Sequence, residues 1–318
     1  MPTFNSVVSR SDAAALIPED VSREIWKNMP KASAALTLFP QRRLSRAQQR
    51  VPVLSTLPAA YFVNGDTGLK QTSEQQWANK YFNVEEIAVL VPIPEAVIAD
   101  ADYDIWGEIR PNIEEAIGRV IDAAIFFGTN KPASWPDDIV TQATAAGNTV
   151  ARGTNNAAAG GLSGDFSDTF GKVEADGYDV NGVIATRAYR GRLRQVRDTT
   201  GNKLSEVRHQ VSTDEAFGVP IQYPMRGMWP TGVSEPEAIV GDFSAGQIGI
   251  RQDITYKLLT EAVISDANGV VILNLAQQDS VAMRVVIRLA WQLKNPINYD
   301  QATEADRNPF GVLLSPAS

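Results

Sequence analysis

Histidine occurs once in the 318-residue chain, at His209, and cysteine does not occur. That removes zinc centres of the His/Cys type and all disulfide and thiolate chemistry. The imidazole, in EVRHQVS, could serve a Ser-His-Asp triad, but no G-x-S-x-G elbow accompanies it, and a surface histidine is the better reading. No G-x-x-x-x-G-K-[ST] phosphate loop is present, and no G-x-G-x-x-G follows a strand. Asp100, Asp102 and Asp104 resemble the start of a calcium loop. The glycine required at position 6 falls at position 8, as Gly107, and position 12 is Pro111 instead of Glu. Capping of a helix by one of these aspartates accounts for them better. Glu85-Glu86 and Asp137-Asp138 are paired in sequence only, because adjacent strand residues point to opposite faces. The sequence therefore assigns no catalytic, cofactor-binding or metal-ligating residue, and no cofactor.

With chemistry of that kind set aside, composition and charge bound what remains. The chain is long enough for two compact domains, and 44% hydrophobic with 21% charged residues is ordinary for a folded protein. No apolar run approaches the ~18 residues of a membrane span. The segment MPTFNSVVSRSD lacks the basic lead and apolar core of a signal peptide. The absence of cysteine fits folding in a reducing cytoplasm. Net charge is −8, unevenly placed: residues 1–50 carry eight Arg or Lys against four acids, a surplus of +4 that leaves −12 for the rest. A body this acidic is a poor general binder of nucleic acid.

Residues 1–56 read as an arm with one short amphipathic helix between Pro18 and Pro30, and QRVPVL after it as a short strand. AAYFV (59–63) and YFNVEEIAVLVPI (81–93) read as the two strands of a hairpin. Its tip is a long polar stretch with turn signals at Asn64-Gly65 and Thr67-Gly68. Pro94 to Gly128 reads as a long helix in which isoleucine recurs every fourth residue, from Ile105 through Ile109, Ile113, Ile117 and Ile121 to Ile125. A four-residue step drifts about 40° around the axis, so the row wraps about half the circumference over its length. Ala116, Val120 and Ala124 widen the stripe, and Glu108, Glu115, Arg119 and Asp122 are left for a wetter side. Pro111 predicts a kink or a break within a turn of its position.

The remainder alternates. Ala143 to Gly164 reads as an exposed loop, SGDFSDTFGKVEADG as a capped helix, GVIATR (182–187) as a buried strand and AYRGRLRQVRD as a helix. DTTGNKL reads as a turn and FGVPIQYP as a strand. AIVGDF and GQIGIRQDITYKLLTEAVI read as strands about a tight turn at Gly241-Asp242, with SDANGVVILNLAQQD as a loop. VAMRVVIRLAWQL (281–293) is a long strand, and the tail through NPFGVLLSPAS holds one more. An arm, a long hairpin and a wrapping helix cannot be stable alone, because each exposes surface it cannot bury against itself. That is the physical profile of an assembly subunit.

The order of these elements resembles the major capsid proteins of tailed bacteriophages, with the Hong Kong 97-type capsid fold, over nearly the whole chain. LIPEDVSREI resembles the family's opening segment, residues 59–93 its extended loop, and PEAVIADADYDIWGEIRPNIEEAIGRVIDAAIFFG its spine helix. GVIATRAYRGRLRQVRDTTGNKL resembles a strand–helix–turn of the axial domain. IVGDFSAGQIGIRQDITYKLL and VAMRVVIRLAWQLKNP resemble the return into the peripheral domain and its final strand.

The resemblance implies an α+β capsid fold: an N-terminal arm (1–56), an extended loop hairpin (57–93), a peripheral domain (94–130 and 245–295) and an axial domain (131–244 and 296–318). It implies a structural, non-enzymatic subunit, assembled in the host cytoplasm into the virion capsid. Its partners would be many copies of itself in hexamers and pentamers, portal and scaffold or decoration proteins, and packaged double-stranded DNA touched weakly and non-specifically, with no membrane. Because the arm begins within about ten residues of Met1, a separate scaffold protein or none is expected. Some relatives join a loop lysine to a neighbour's asparagine, promoted by a glutamate. Lys70 sits at the matching place in the loop, with Asn268 or Asn274 as acceptors. No glutamate occurs between Glu261 and Glu304, and Asp279 is a weak substitute, so no crosslink is expected. An encapsulin-type compartment and a carboxylate-dependent hydrolase are the alternative readings.

Overall fold

A computed structural model describes residues 33–63, 69–100, 104–196, 207–209, 214–224, 227–266 and 268–316. The helix expected between Pro18 and Pro30, the turns at 64–68, Asp102 and the DTTGNKL turn lie outside the described residues. In chain order the elements are α1 (Ala34–Leu38), β1 (Gln41–Arg43), β2 (Gln48–Thr56), β3 (Gln76–Asn83), β4 (Glu85–Pro94), α2 (Glu95–Asp100) and α3 (Ile105–Phe127). There follow α4 (Ile139–Ala145), β5 (Thr149–Ala151), α5 (Gly161–Ala175), β6 (Gly182–Ala185), α6 (Arg187–Leu193), β7 (Val207–His209), β8 (Asp214–Ala216) and β9 (Val219–Gln222). The chain closes with β10 (Pro236–Gly241), β11 (Gly246–Leu259), β12 (Val263–Ser265), β13 (Val271–Asn274), β14 (Ser280–Leu293) and β15 (Phe310–Leu314).

Two larger sheets organise the described residues. One has four strands in the order β1-β11-β14-β4, antiparallel except for the short parallel β1. The other has seven, β5-β15-β10-β6-β9-β8-β7. Two ribbons, β2-β3 and β12-β13, form small sheets of their own.

The isoleucine row of α3 works as its drift predicts. Ile105 and Ile109 are half-buried, whereas Ile113, Ile117, Ile121 and Ile125 are buried against β14 and its neighbours. Phe39, just after α1, is the aromatic hub of this core. Its ring lies 4.7 Å from Trp291 of β14, 5.3 Å from Phe243, 5.9 Å from Phe126 of α3 and 6.1 Å from Phe310 of β15. Gly246 is required there, since a Cβ would fall 2.5 Å from Trp291 and 2.6 Å from Phe39. A second core packs Phe166, Phe170 and Val173 of α5 onto Val183, Val240 and Leu313 of the seven-stranded sheet.

Several expectations need correction. Residues 59–63 form no strand. The partner of β3 is β2, in register from Gln48↔Asn83 to Thr56↔Gln76, while 85–94 leaves the ribbon and joins the four-stranded sheet. A β-prone sequence becomes a strand only beside a partner, and Phe62 at 104% exposure has none among the described residues. Gly241-Asp242 is no hairpin turn, because β10 and β11 belong to different sheets. Asp242 instead caps a short 3-10 turn, Phe243–Ala245, where the chain crosses between the sheets. The tract from Ala143 to Gly164 is not a plain exposed loop: Ala143 and Val150 are buried, Val150 pairs with Leu313 and α5 starts at Gly161. Within 265–279, residues Val271–Asn274 are a strand paired with β12.

The long helix also departs from its expected form. It runs unbroken from Ile105 to Phe127 through Pro111, so the expected break is absent. Pro111 leaves the Gly107 carbonyl without its intrahelical donor, and the segment is held from outside. Arg110 lies 5.6 Å over the ring of Tyr256 on β11, and Glu114 accepts a hydrogen bond from the Tyr256 hydroxyl. Two residues four apart, on either side of the proline, thus clamp one tyrosine. Asp122, expected on the wetter side, is fully buried, while Ala116 and Val120 of the expected apolar stripe are exposed.

Candidate functional site

The carboxylates that could suggest catalysis are spent on structure. Glu85 accepts a hydrogen bond from Ser134, while Glu86 pairs across the sheet with Arg288 at 3.7 Å. Asp137 lies 3.6 Å from Lys131, and Asp138 caps α4 by accepting from the Thr141 amide at 3.0 Å. Asp104 stands at the N-cap of α3, as expected for that triplet, though its side chain makes no capping hydrogen bond. His209 lies on β7. Those residues hold no cluster of three or more His, Cys, Asp or Glu fit for a metal. No helix among them is long and apolar enough to cross a membrane.

Buried charge marks where distant segments are pinned together. Asp122 of α3 accepts from Ser33 Oγ at 2.5 Å and from the amides of Ala34 and Ala35, each at 2.9 Å. The first turn of α1 thereby docks on the long helix through donors that have no helical partner of their own. Burial raises the Asp122 pKa above the ordinary carboxylate value, and the three hydrogen bonds pull against that shift. On the seven-stranded sheet, Glu237 of β10 bridges Arg152 at 2.9 Å and Arg192 of α6. Asp214 of β8 pairs with Arg190, whose guanidinium lies 5.1 Å over the Tyr223 ring. Burial, chiefly, raises the Tyr223 and Tyr189 hydroxyls above their ordinary range.

The surface carries the other signal. Tyr61, Phe62, Val63, Leu69, Trp77 and Tyr81 are all exposed, on or beside the β2-β3 ribbon. Val263, Val270, Val271 and Ile272 are exposed on the β12-β13 ribbon. Apolar groups concentrated on projecting ribbons mark contact surfaces. A groove of about 350 Å³ also opens between α3 and β4, lined by Ile87, Val89, Ala116 and Val120 among others. Lys70 is exposed in the segment joining β2 to β3, and Asn268 and Asn274 lie at the β12-β13 ribbon.

A family model described as the phage capsid family matches residues 13–298. The chain belongs to the phage capsid family. A curated relative, the major capsid protein of Staphylococcus phage 80alpha, is 25% identical over 317 residues, covering 97% of this chain and 91% of that protein. A solved chain from Microbacterium phage Oxtober96 superposes with a TM-score of 0.84 at 39% identity, covering 98% of this chain and 100% of that one. A chain from Mycobacterium phage Bobi gives the same TM-score at 31% identity and the same coverage of both chains. The α+β fold is therefore the fold of this family's capsid structures. Sequence reasoning found the long helix, and expected a ribbon but gave it the wrong pair of strands. It missed the Asp122 latch, whose partners lie more than 80 positions away in the chain, and the Phe39 hub.

Proposed function

We propose that the chain is the major capsid protein of a tailed phage, the structural subunit from which an icosahedral shell is built around double-stranded DNA. The observation that carries this reading is likeness at full length: 98% of the chain superposes on a phage chain with a TM-score of 0.84 and 39% identity. The exposed ribbons support it, because their apolar side chains need burial that one subunit does not provide. In this reading residues 94–130 and 245–295 act as a peripheral domain, and 131–244 with 296–318 as an axial domain gathered about the shell's symmetry axes. Residues 1–56 act as the arm and 57–93 as the extended loop. Copies join as hexamers and pentamers in the host cytoplasm, with portal and scaffold or decoration proteins as further partners. A net charge of −8 suits a wall past which packaged DNA slides with weak, non-specific contact. Electron microscopy of the expressed protein tests this. Closed shells tens of nanometres across are expected, and a species that stays monomeric with or without co-expressed phage proteins would count decisively against it.

A further inference from the structure

The four-stranded sheet has one face on α3 and one face outward. Tyr256, Val285 and Val89 lie in one cross-strand row, and Val285 and Val89 belong to the core under α3. The next row, Lys257–Arg284–Leu90, therefore lies on the outer face, flanked by Thr255–Val286–Ala88 and Leu259–Ala282–Pro92. One end of this face is covered, where Leu44 and Phe82 pack on Ala290. Further along, Thr255, Lys257, Arg284, Ala88, Leu90 and Pro92 are exposed.

Two cations directly opposite on adjacent strands repel each other. Lys257 and Arg284 stand in that relation, and neither makes an ion pair or side-chain hydrogen bond among the described residues. The same face handles Arg288 of β14 differently. Arg288 stands opposite Glu86 in the register and pairs with it at 3.7 Å. Beyond Glu86 the outward residues of β4 are Ala88, Leu90, Pro92 and Pro94, none of them acidic. The fold thus neutralises Arg288 within the chain and leaves Lys257 and Arg284 bare on a platform of small and apolar side chains.

We propose that this platform is a docking surface for a second copy of the chain, whose carboxylates seat between Lys257 and Arg284. The inference rests on the capsid reading, in which copies meet edge to edge. Charge decides the occupant. A second copy carries a net −8, so a cationic platform is complementary to it, and the Lys257–Arg284 repulsion is relieved only when that copy arrives. Side chains of this kind can lay their stems on apolar surface and leave their charged ends for a partner.

The test uses the full chain with the double substitution Lys257→Gln and Arg284→Gln. Unassembled variant subunits should melt no lower than wild type, since an internal repulsion is gone. The concentration needed for shell formation should rise about tenfold or more, and wild-type assembly should weaken with salt where the variant's does not. Carbodiimide treatment of shells made from mixed light and heavy isotope-labelled chains should join Lys257 to an Asp or Glu of a different copy. Wild-type shells with unchanged variant assembly overturn the proposal alone, as does coupling confined within single chains. Loss of retained DNA with assembly intact also overturns it, by giving the cations to phosphate. Wild type that forms no shells overturns this proposal and the capsid reading together.

Discussion

Among single residues, Asp122 is a buried charge that joins distant segments. It is fully buried and holds three donors of the first turn of α1 at 2.5 to 2.9 Å. Asp122→Asn keeps the shape but turns an amide NH2 toward donors, leaving at least one unsatisfied. A loss of about 1–3 kcal/mol is expected for unassembled subunits in denaturant titration. The pH dependence follows from the direction of the shift. Burial raises the folded pKa of Asp122 above its unfolded value near 4, so the folded state holds this proton more tightly. Its contribution is then fully present below about pH 4 and is lost as pH rises through the raised value. The gap between wild type and variant should be widest at the acid end and narrow upward; a gap that widens with pH would contradict the assignment. Nothing local reveals such a residue. Asp122 stands on the helix among Gly118, Ile121 and Ile125, all buried, so there polarity no longer reports exposure. Lys257 and Arg284 were equally illegible, because a like-charge pair exists only once β11 and β14 are in register.

At the scale of elements, periodicity was readable and partnership was not. The four-residue isoleucine spacing located α3 and its drift from half-buried to buried, since helix geometry alone fixes which residues share a face. The long β14 and the buried β6 were likewise carried by their own composition. What one strand pairs with depends on the rest of the chain, which is why the ribbon is β2-β3 and not 59–63 with 81–93. Pro111 is the clearest conflict between local preference and tertiary contact. Proline inside a helix forfeits a hydrogen bond and disfavours helix at Arg110, yet α3 continues, clamped by Arg110 and Glu114 on Tyr256. The Tyr256 hydroxyl, pushed up to about 12 by burial and by the Glu114 carboxylate, stays protonated and remains a donor at neutral pH. Pro111→Ala should restore the donor to the Gly107 carbonyl and raise subunit stability by about 1–3 kcal/mol, read as a higher denaturant midpoint. Combined with Tyr256→Phe the gain should persist, because the added bond is internal to the helix. Destabilisation by Pro111→Ala would show that the bonding gap at Gly107 is an adaptation of the helix and not a cost.

For the molecule as a whole, the sequence lacks any thiol, so covalent reinforcement of a shell would have to come from side-chain amide chemistry. Lys70 is exposed on the β2-β3 connection, and Asn268 and Asn274 lie at the β12-β13 ribbon, so lysine and asparagine of two copies could meet. Attack on an asparagine carboxamide by lysine needs the neutral amine, and an ammonium in water releases its proton only near pH 10. A carboxylate held in an apolar site can take that proton, which is the role a glutamate plays in general base catalysis. No glutamate occurs between Glu261 and Glu304. Asp266 within the ribbon is already engaged, accepting from the amides of Asn268 at 2.9 Å and Val270 at 2.8 Å. With Asp266 engaged and Asp279 a weak substitute for glutamate, no crosslink is expected, and in the capsid reading shell strength would come from buried area summed over many contacts, for which the exposed Trp77 and Phe62 are available. Shells boiled in detergent should run as a single band at 34.5 kDa. Ladders of dimers and higher multimers that vanish on Lys70→Arg would show that a base is supplied by a neighbouring copy, and would move the crosslink from excluded to central.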